Sequence, residues 1–187
     1  MVKYILGVIV IALLVIFASC EKYKDTPGKD LGLTRKYCND PRAANYNDSF
    51  PGVPDNDVCI YPNEIFEGNW QLKDSVFLQD GTFQSTAIYN LSFSKKDTLQ
   101  DSLKRKIIVS GFCNAIQLHL TANKYGTAIT DTLIPNTQGG QLFCQNTDTV
   151  FGQFKIIKDS LTTTMNINLT VQSSNQQYLH IGKAIKQ

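Results

Sequence analysis

Two histidines, five cysteines and 16 carboxylates are the residues with which this 187-residue chain could bind a metal, attack a carbonyl or move a proton. The carboxylates are unevenly placed. Glutamate occurs at Glu21, Glu64 and Glu67 and at no later position. Beyond Glu67 the acids are the aspartates at 74, 80, 97, 101, 131, 148 and 159. Most stand beside turn residues, where an Asp side chain commonly bonds nearby backbone N–H groups. A glycosidase needs two carboxylates facing one cleft, and no spacing here proposes such a pair. There is no G-x-S-x-G elbow, and Gly139-Gly140 is an isolated pair that reads as a hairpin turn rather than a phosphate loop. His119 lies between Gln117 and Thr121 on a polar strand face and reads as a solvated histidine. His180 alternates with Tyr178 and reads as packing or capping the last strand. No CxxC accompanies the two histidines, which argues against zinc. The expectation is a protein that binds rather than catalyses, with no catalytic residue.

The elements that would position a binding surface begin with residues 1–20, MVKYILGVIVIALLVIFASC. Lys3 precedes an apolar run from Ile5 to Phe17, then Ala18, Ser19 and Cys20, the three-part layout of a secretory signal. The run is shorter than the ~20 residues of a permanent membrane-spanning helix. Phe17-Ala18-Ser19-Cys20 resembles the lipobox of bacterial lipoproteins, with Phe17 in place of the usual leucine. The resemblance implies a cleaved signal over 1–19 and acylation of Cys20, giving the multiple lipid chains that hold a protein stably on a membrane. Residues 20–36, rich in charge and containing Pro27 and Gly28, read as a flexible tether. Glu21, Lys22, Lys24 and Asp25 directly after Cys20 are similar to the surface-export tag of Bacteroidota lipoproteins. This implies an outer-membrane lipoprotein, at the cell surface rather than the periplasmic face.

Cys38, Cys59, Cys113 and Cys144 remain once Cys20 is lipidated. In an exported chain an even number favours disulfides, and a Cys113–His119 dyad would need a reduced thiol. Three pairings are open. The change of composition between the pairs favours Cys38–Cys59 and Cys113–Cys144. Residues 37–62 hold almost no aliphatic side chains, so this segment must depend on its staple, which closes a loop worth roughly 3 kcal/mol of chain entropy. Cys38, Asp40, Pro41, Ala43 or Ala44, Asn45, Tyr46, Asn47, Asp55, Asp57, Cys59 and Tyr61 resemble a cysteine-bounded module of secreted Bacteroidota proteins, C-x-D-P-x-A-x-N-Y-N. Asp40, Asn45, Asn47, Asp55 and Asp57 also supply the clustered oxygens that a structural calcium would take. The same residue types are ordinary turn formers.

Residues 65–187 alternate. Met165, Ile167, Leu169 and Val171 face one way, with Asn and Thr between them. Ala87, Tyr89, Leu91 and Phe93 do the same, as do Ile116, Leu118 and Leu120. Such alternation means half-buried antiparallel strands. Asp80-Gly81, Asn123 to Gly126, Pro135 to Gly140 and Lys158-Asp159-Ser160 supply turns. The expected fold is all-β, an antiparallel eight- to nine-stranded barrel or sandwich preceded by the small stapled module. Gly68-Asn69-Trp70 resembles the G-x-W that opens lipocalin barrels. Phe66, Gly68, Trp70, Leu72 and Asp74, then Val109-Ser110-Gly111-Phe112, Ile134-Pro135-Asn136-Thr137-Gln138 and Val150 to Gln153, resemble an uncharacterised β-domain of Bacteroidota lipoproteins.

The net charge of +2 lacks the basic excess of a nucleic-acid binder. What remains is a surface of aromatics among amides and hydroxyls, which suits protein or carbohydrate contacts. Tyr125, Phe143 and Tyr178 are the binding candidates, while Trp70 and Tyr89 read as core. The expected function is a membrane-anchored binding or accessory subunit of an outer-membrane or cell-surface protein complex. The alternative is a barrel that binds a glycan or a small lipophile.

Overall fold

The computed structural model describes residues 33–47, 51–96, 101–113, 116–132, 140–145, 147–159, 162–173 and 176–187. The signal segment, Cys20, most of the tether and the Ile134–Gln138 stretch lie outside the described residues. Lys36–Gln187 forms one compact unit, and the chain before Lys36 is a separate one.

The stapled module opens with β1 (Lys36–Tyr37), which pairs in parallel with β2 (Val53–Pro54). A 3-10 turn at Asn56–Val58 follows, capped by the Asp55 carboxylate accepting from the Asp57 N–H. The barrel is built from β3 (Gly68–Leu78), β4 (Phe83–Lys95), β5 (Lys106–Ser110), β6 (Leu118–Ala122), β7 (Thr127–Thr130), β8 (Gln141–Leu142), β9 (Thr149–Lys158), β10 (Thr163–Ser173) and β11 (Gln176–Lys186). Each strand pairs antiparallel with its neighbour. β11 returns to β3 and β10 pairs with β9, so eight strands close into a ring and the two-residue β8 lies alongside β9. No α-helix occurs among the described residues. Closure removes the sheet edges that half-polar strands with no covering helix would otherwise expose.

The alternation read from the sequence is the alternation that folds. Met165, Ile167, Leu169 and Val171 are all buried, and so are Leu91 and Phe93. The interior is filled by side chains, with Trp70, Phe66, Phe93 and Phe154 the largest. Trp70 and Phe154 both meet Phe93 edge-on, at 6.3 and 5.8 Å between ring centroids. The Trp70 indole N–H donates to the Phe66 carbonyl at 2.8 Å, which satisfies its one polar atom in a dry place.

Strand lengths are unequal. β3, β4, β10 and β11 have 11 to 13 residues, whereas β5, β6 and β7 have four or five. The long hairpins therefore overhang the short strands at one end, and loops must finish the wall there. Directly after β5 comes Gly111, whose backbone adopts φ +109°. A Cβ at Gly111 would stand 2.1 Å from the Asn90 carbonyl oxygen, so the chain turns inward only because this residue has none. Phe112 follows into the core.

Gly111→Ala is expected to cost about 3 kcal/mol or more, from backbone strain together with the clash. A urea melt followed by Trp70 fluorescence measures it.

Candidate functional site

The two ends of the barrel differ in chemistry. At the overhung end, the loops after β5 and after β8 are joined by the Cys113–Cys144 disulfide. The residues just before these cysteines, Phe112 and Phe143, are both buried and lie 5.6 Å apart. Phe112 rests on Tyr89 at 5.3 Å and Phe143 meets the His180 ring at 5.9 Å. The bridge thus ties an aromatic plug across the barrel mouth.

Beneath the plug, His180 Nδ1 lies 2.6 Å from Asp74 Oδ2. The imidazole donates and the carboxylate accepts. Asp74 is 1% exposed, and its other oxygen, Oδ1, is buried with no hydrogen-bond partner. Tyr89, half-buried beside this carboxylate, has its phenol pushed up by burial and then by the Asp74 charge. Among the described residues no second carboxylate is hydrogen-bonded to Asp74 or to His180. Asp74 was legible in the sequence: Trp70, Leu72 and Asp74 have the same parity, so it had to point inward. It sits mid-strand in β3, unlike the aspartates beside turns.

Two neighbouring polar residues complete this end. Gln141, 1% exposed, uses its side-chain amide as a short extra strand. It accepts from the His119 backbone N–H at 2.7 Å and donates to the His119 carbonyl. His119 is half-buried rather than fully solvated, because the Gln141 loop covers it. Burial first, and then the charge of Lys96 at 3.4 Å, push its pKa down, so it is neutral at physiological pH. Outside the plug, Leu78, Gln79, Asp80, Ser173, Gln177 and Tyr178 line an open groove of about 580 Å³ between the hairpin tips.

At the other end the module packs on the barrel. Its Cys38–Cys59 disulfide forms, and Asp40 is its hub. The Asp40 carboxylate accepts from the Arg42 guanidinium at 2.8 and 2.5 Å, from the Arg42 backbone N–H at 3.0 Å and from the Tyr61 hydroxyl at 3.0 Å. The Arg42 bonds hold its carboxyl well below the usual carboxylate range. Arg42 also donates to the Ser102 carbonyl at 3.0 Å, and Lys104 lies 3.6 Å over the Tyr61 ring. These two contacts dock the module on the β4–β5 loop. Asn45 spends its amide on Val58 and Ile60, bonding the carbonyl of one and the N–H of the other at 2.7 Å each. Asp55 takes Lys36 at 2.7 Å. The oxygens of Asp40, Asn45 and Asp55, read as calcium candidates, are therefore engaged by the module's own donors. Among the described residues no group of three or more His, Cys, Asp or Glu is placed to hold a metal ion.

The three aromatic candidates separate. Tyr125, at the β6–β7 turn, is 80% exposed beside a shallow 310 Å³ hollow formed with Ala44, Ile65 and Lys158. Tyr178 is half-buried and floors the groove between the hairpin tips, its hydroxyl donating to Gln176 at 3.3 Å. Phe143 is a correction: it is 5% exposed, because the disulfide next to it draws it into the plug. The structure does not bring the three together.

A scan against protein-family models and a search of curated proteins found no match. Among solved structures, a protein of unknown function from Bacteroides ovatus aligns at 13% identity with a TM-score of 0.34, over 68% of this chain and 43% of that one. The chain spans less than half the length of that structure, and a likeness of this size carries no argument about fold or function.

Two outcomes follow from this geometry. His180→Ala leaves a buried carboxylate with neither oxygen partnered and is expected to cost about 3 kcal/mol. Adding Asp74→Asn should recover part of that loss, because a buried neutral amide costs less than a buried charge. Urea midpoints at constant m-value measure both. Asp40 ionises more readily folded than unfolded, so its contribution is present above an unfolded pKa of about 3.9 and is lost as pH falls below it. The module should therefore loosen in acid, and Asp40→Asn should flatten that dependence while lowering stability at neutral pH. Hydrogen exchange of the Ala43 and Asn47 amides against pH reads it.

Proposed function

We propose that this chain is a lipid-anchored, non-catalytic binding protein of the bacterial outer membrane, presented at the cell surface, and that its partner is a protein of a membrane complex. The observation that carries the reading is the filled and plugged barrel. Its interior is occupied by Trp70, Phe93, Phe154 and their neighbours, and its mouth is tied shut by Phe112, Phe143 and a disulfide. A barrel of this kind offers its outside rather than its lumen. The lipobox-like Phe17-Ala18-Ser19-Cys20 and the charged tether support the anchor. At the module end, Tyr125 is the exposed aromatic that suits a protein contact.

One observation favours a glycan as a second reading. The groove floored by Tyr178 and lined by Gln79, Asp80, Gln176 and Gln177 combines an aromatic with hydrogen-bonding amides, the usual means of holding a sugar. The packed interior gives a small lipophile no comparable place.

Affinity purification of the lipidated protein from detergent-solubilised membranes is expected to recover a stoichiometric protein partner. Tyr125→Ala should weaken retention by about ten-fold, as for an interface hot spot. Recovery of the lipoprotein alone, with thermal stabilisation by a glycan that Tyr178→Ala abolishes, overturns the reading in favour of the second. Mass spectrometry of the N-terminal peptide tests acylation of Cys20 separately.

A further inference from the structure

β3, β4, β9, β10 and β11, more than half of the barrel wall, contain one acidic residue, Asp74, and it points inward. The outer surface of these five strands therefore carries no carboxylate. It does carry lysines, and the register places three of them in one row across the strands. Ile88 is opposite Lys73, Lys73 is opposite Lys183, Lys183 is opposite Asn166 and Asn166 is opposite Lys155. Lys73, Lys183 and Lys155 are all exposed, and among the described residues none has an ion-pair partner. By contrast, Lys106 on the opposite wall is neutralised by Asp131 at 2.6 Å, and Lys95 lies within 3.5 Å of Glu64 and Glu67.

Like charges directly opposite on neighbouring strands destabilise a sheet. Lys73 against Lys183 is such a pair, and among the described residues no carboxylate is paired with either. Three isoleucines flank the row: Ile88 is 70% exposed, Ile181 51% and Ile185 54%, the last two on either side of Lys183 along β11. Ser75, Gln71, Asn90, Asn166, Asn168 and Gln153 supply hydroxyls and amides between them.

We propose that this wall lies on an anionic lipid surface, with Lys73, Lys155 and Lys183 on headgroup phosphates and Ile88, Ile181 and Ile185 dipping between headgroups. Lysine reaches from an apolar contact to a charged layer by its long stem, and surface-bound proteins combine such lysines with singly inserted apolar side chains. The absence of carboxylates over the whole wall suits a uniformly negative plane. A protein interface would be depleted in lysine at its centre, whereas three lysines run through the middle of this wall and its exposed aromatics, Phe83 and Phe151, stand away from the Lys73–Lys183 pair, near the ends of β4 and β9. The inference gains from the anchor proposed above, since a tether would raise the local concentration of lipid. It does not require that anchor, because the lysine row is a property of the barrel.

The test uses the chain from residue 20 with Cys20→Ser, so that no acyl group contributes, and vesicles of phosphatidylcholine with or without about 30 mol% phosphatidylglycerol. Co-sedimentation is expected with the anionic vesicles, not with phosphatidylcholine alone, and is expected to vanish at about 0.5 M salt. Each lysine near an anionic surface is worth about five-fold in affinity, so Lys73→Gln/Lys155→Gln/Lys183→Gln should lose about a hundred-fold. The control Lys22→Gln/Lys24→Gln/Lys29→Gln removes the same charge from the segment before the module and should lose much less. Free of vesicles, Lys183→Gln should melt at a higher temperature than the parent, because it relieves the opposed charges. That readout also shows that the variant folds.

Equal binding to both vesicle types, or equal losses in the two triple variants, overturns the proposal. So does row-dependent capture of a membrane protein without vesicle binding, which would assign the wall to a protein partner. An unacylated Cys20 alongside row-dependent vesicle binding would sink the anchor and leave this inference standing.

Discussion

The ring of eight strands closes through the β9–β10 and β11–β3 ladders while three of its staves are only four or five residues long. Much of the rest of the structure answers to that mismatch. Short strands leave one rim open, and an open rim would admit water to Val150, Leu169 and Val171. The loops after β5 and β8 close it, but loops carry little packing of their own. A covalent tie holds them, and the two phenylalanines before the tied cysteines supply the apolar volume. Gly111 is the residue that lets the first of these loops bend inward under the Asn90 carbonyl.

The opposite end meets the same need differently. There the barrel floor is built from Trp70 and Phe66, and the module docks beside it on the β4–β5 loop. The module has four buried apolar residues of its own, Cys38, Ala43, Cys59 and Tyr61, too few for a core. Its shape comes from polar saturation instead. One carboxylate gathers a guanidinium, a backbone N–H and a phenol, and one asparagine clamps a strand-like segment. Asp40, Asn45, Asp55 and Tyr61 each owe their place in this stretch to the partner they bond. Oxygens already accepting such bonds are poor candidates for a cation.

Electrostatically the barrel is two-sided. On the short-strand wall Lys106 is matched by Asp131, and at the module end of β4 Lys95 is matched by Glu64 and Glu67; in the row across β3, β11 and β9, Lys73, Lys155 and Lys183 are unmatched and two of them oppose each other. A fold selected for stability alone would place an acid in that row. Stability left ungained on an exposed wall is a common mark of a surface that meets something else.

Period-two alternation and the absence of a covering helix made the all-β class, the inward faces of β4 and β10 and even the inward direction of Asp74 readable from the chain. These are local properties: a pleat sends alternate side chains to opposite faces whatever the strand pairs with. The order of the four cysteines likewise suggested the pairs that form. Barrel against sandwich was not readable, because closure depends on the β9–β10 register across the whole sheet. Nor was the fate of Phe143, the covering of His119 by Gln141, or the meeting of His180 with Asp74 across 106 positions. The lysine row belongs here too. Lys73, Lys155 and Lys183 are scattered along the chain, and only strand register, which a slip of one residue would invert, sets them side by side on the outer wall.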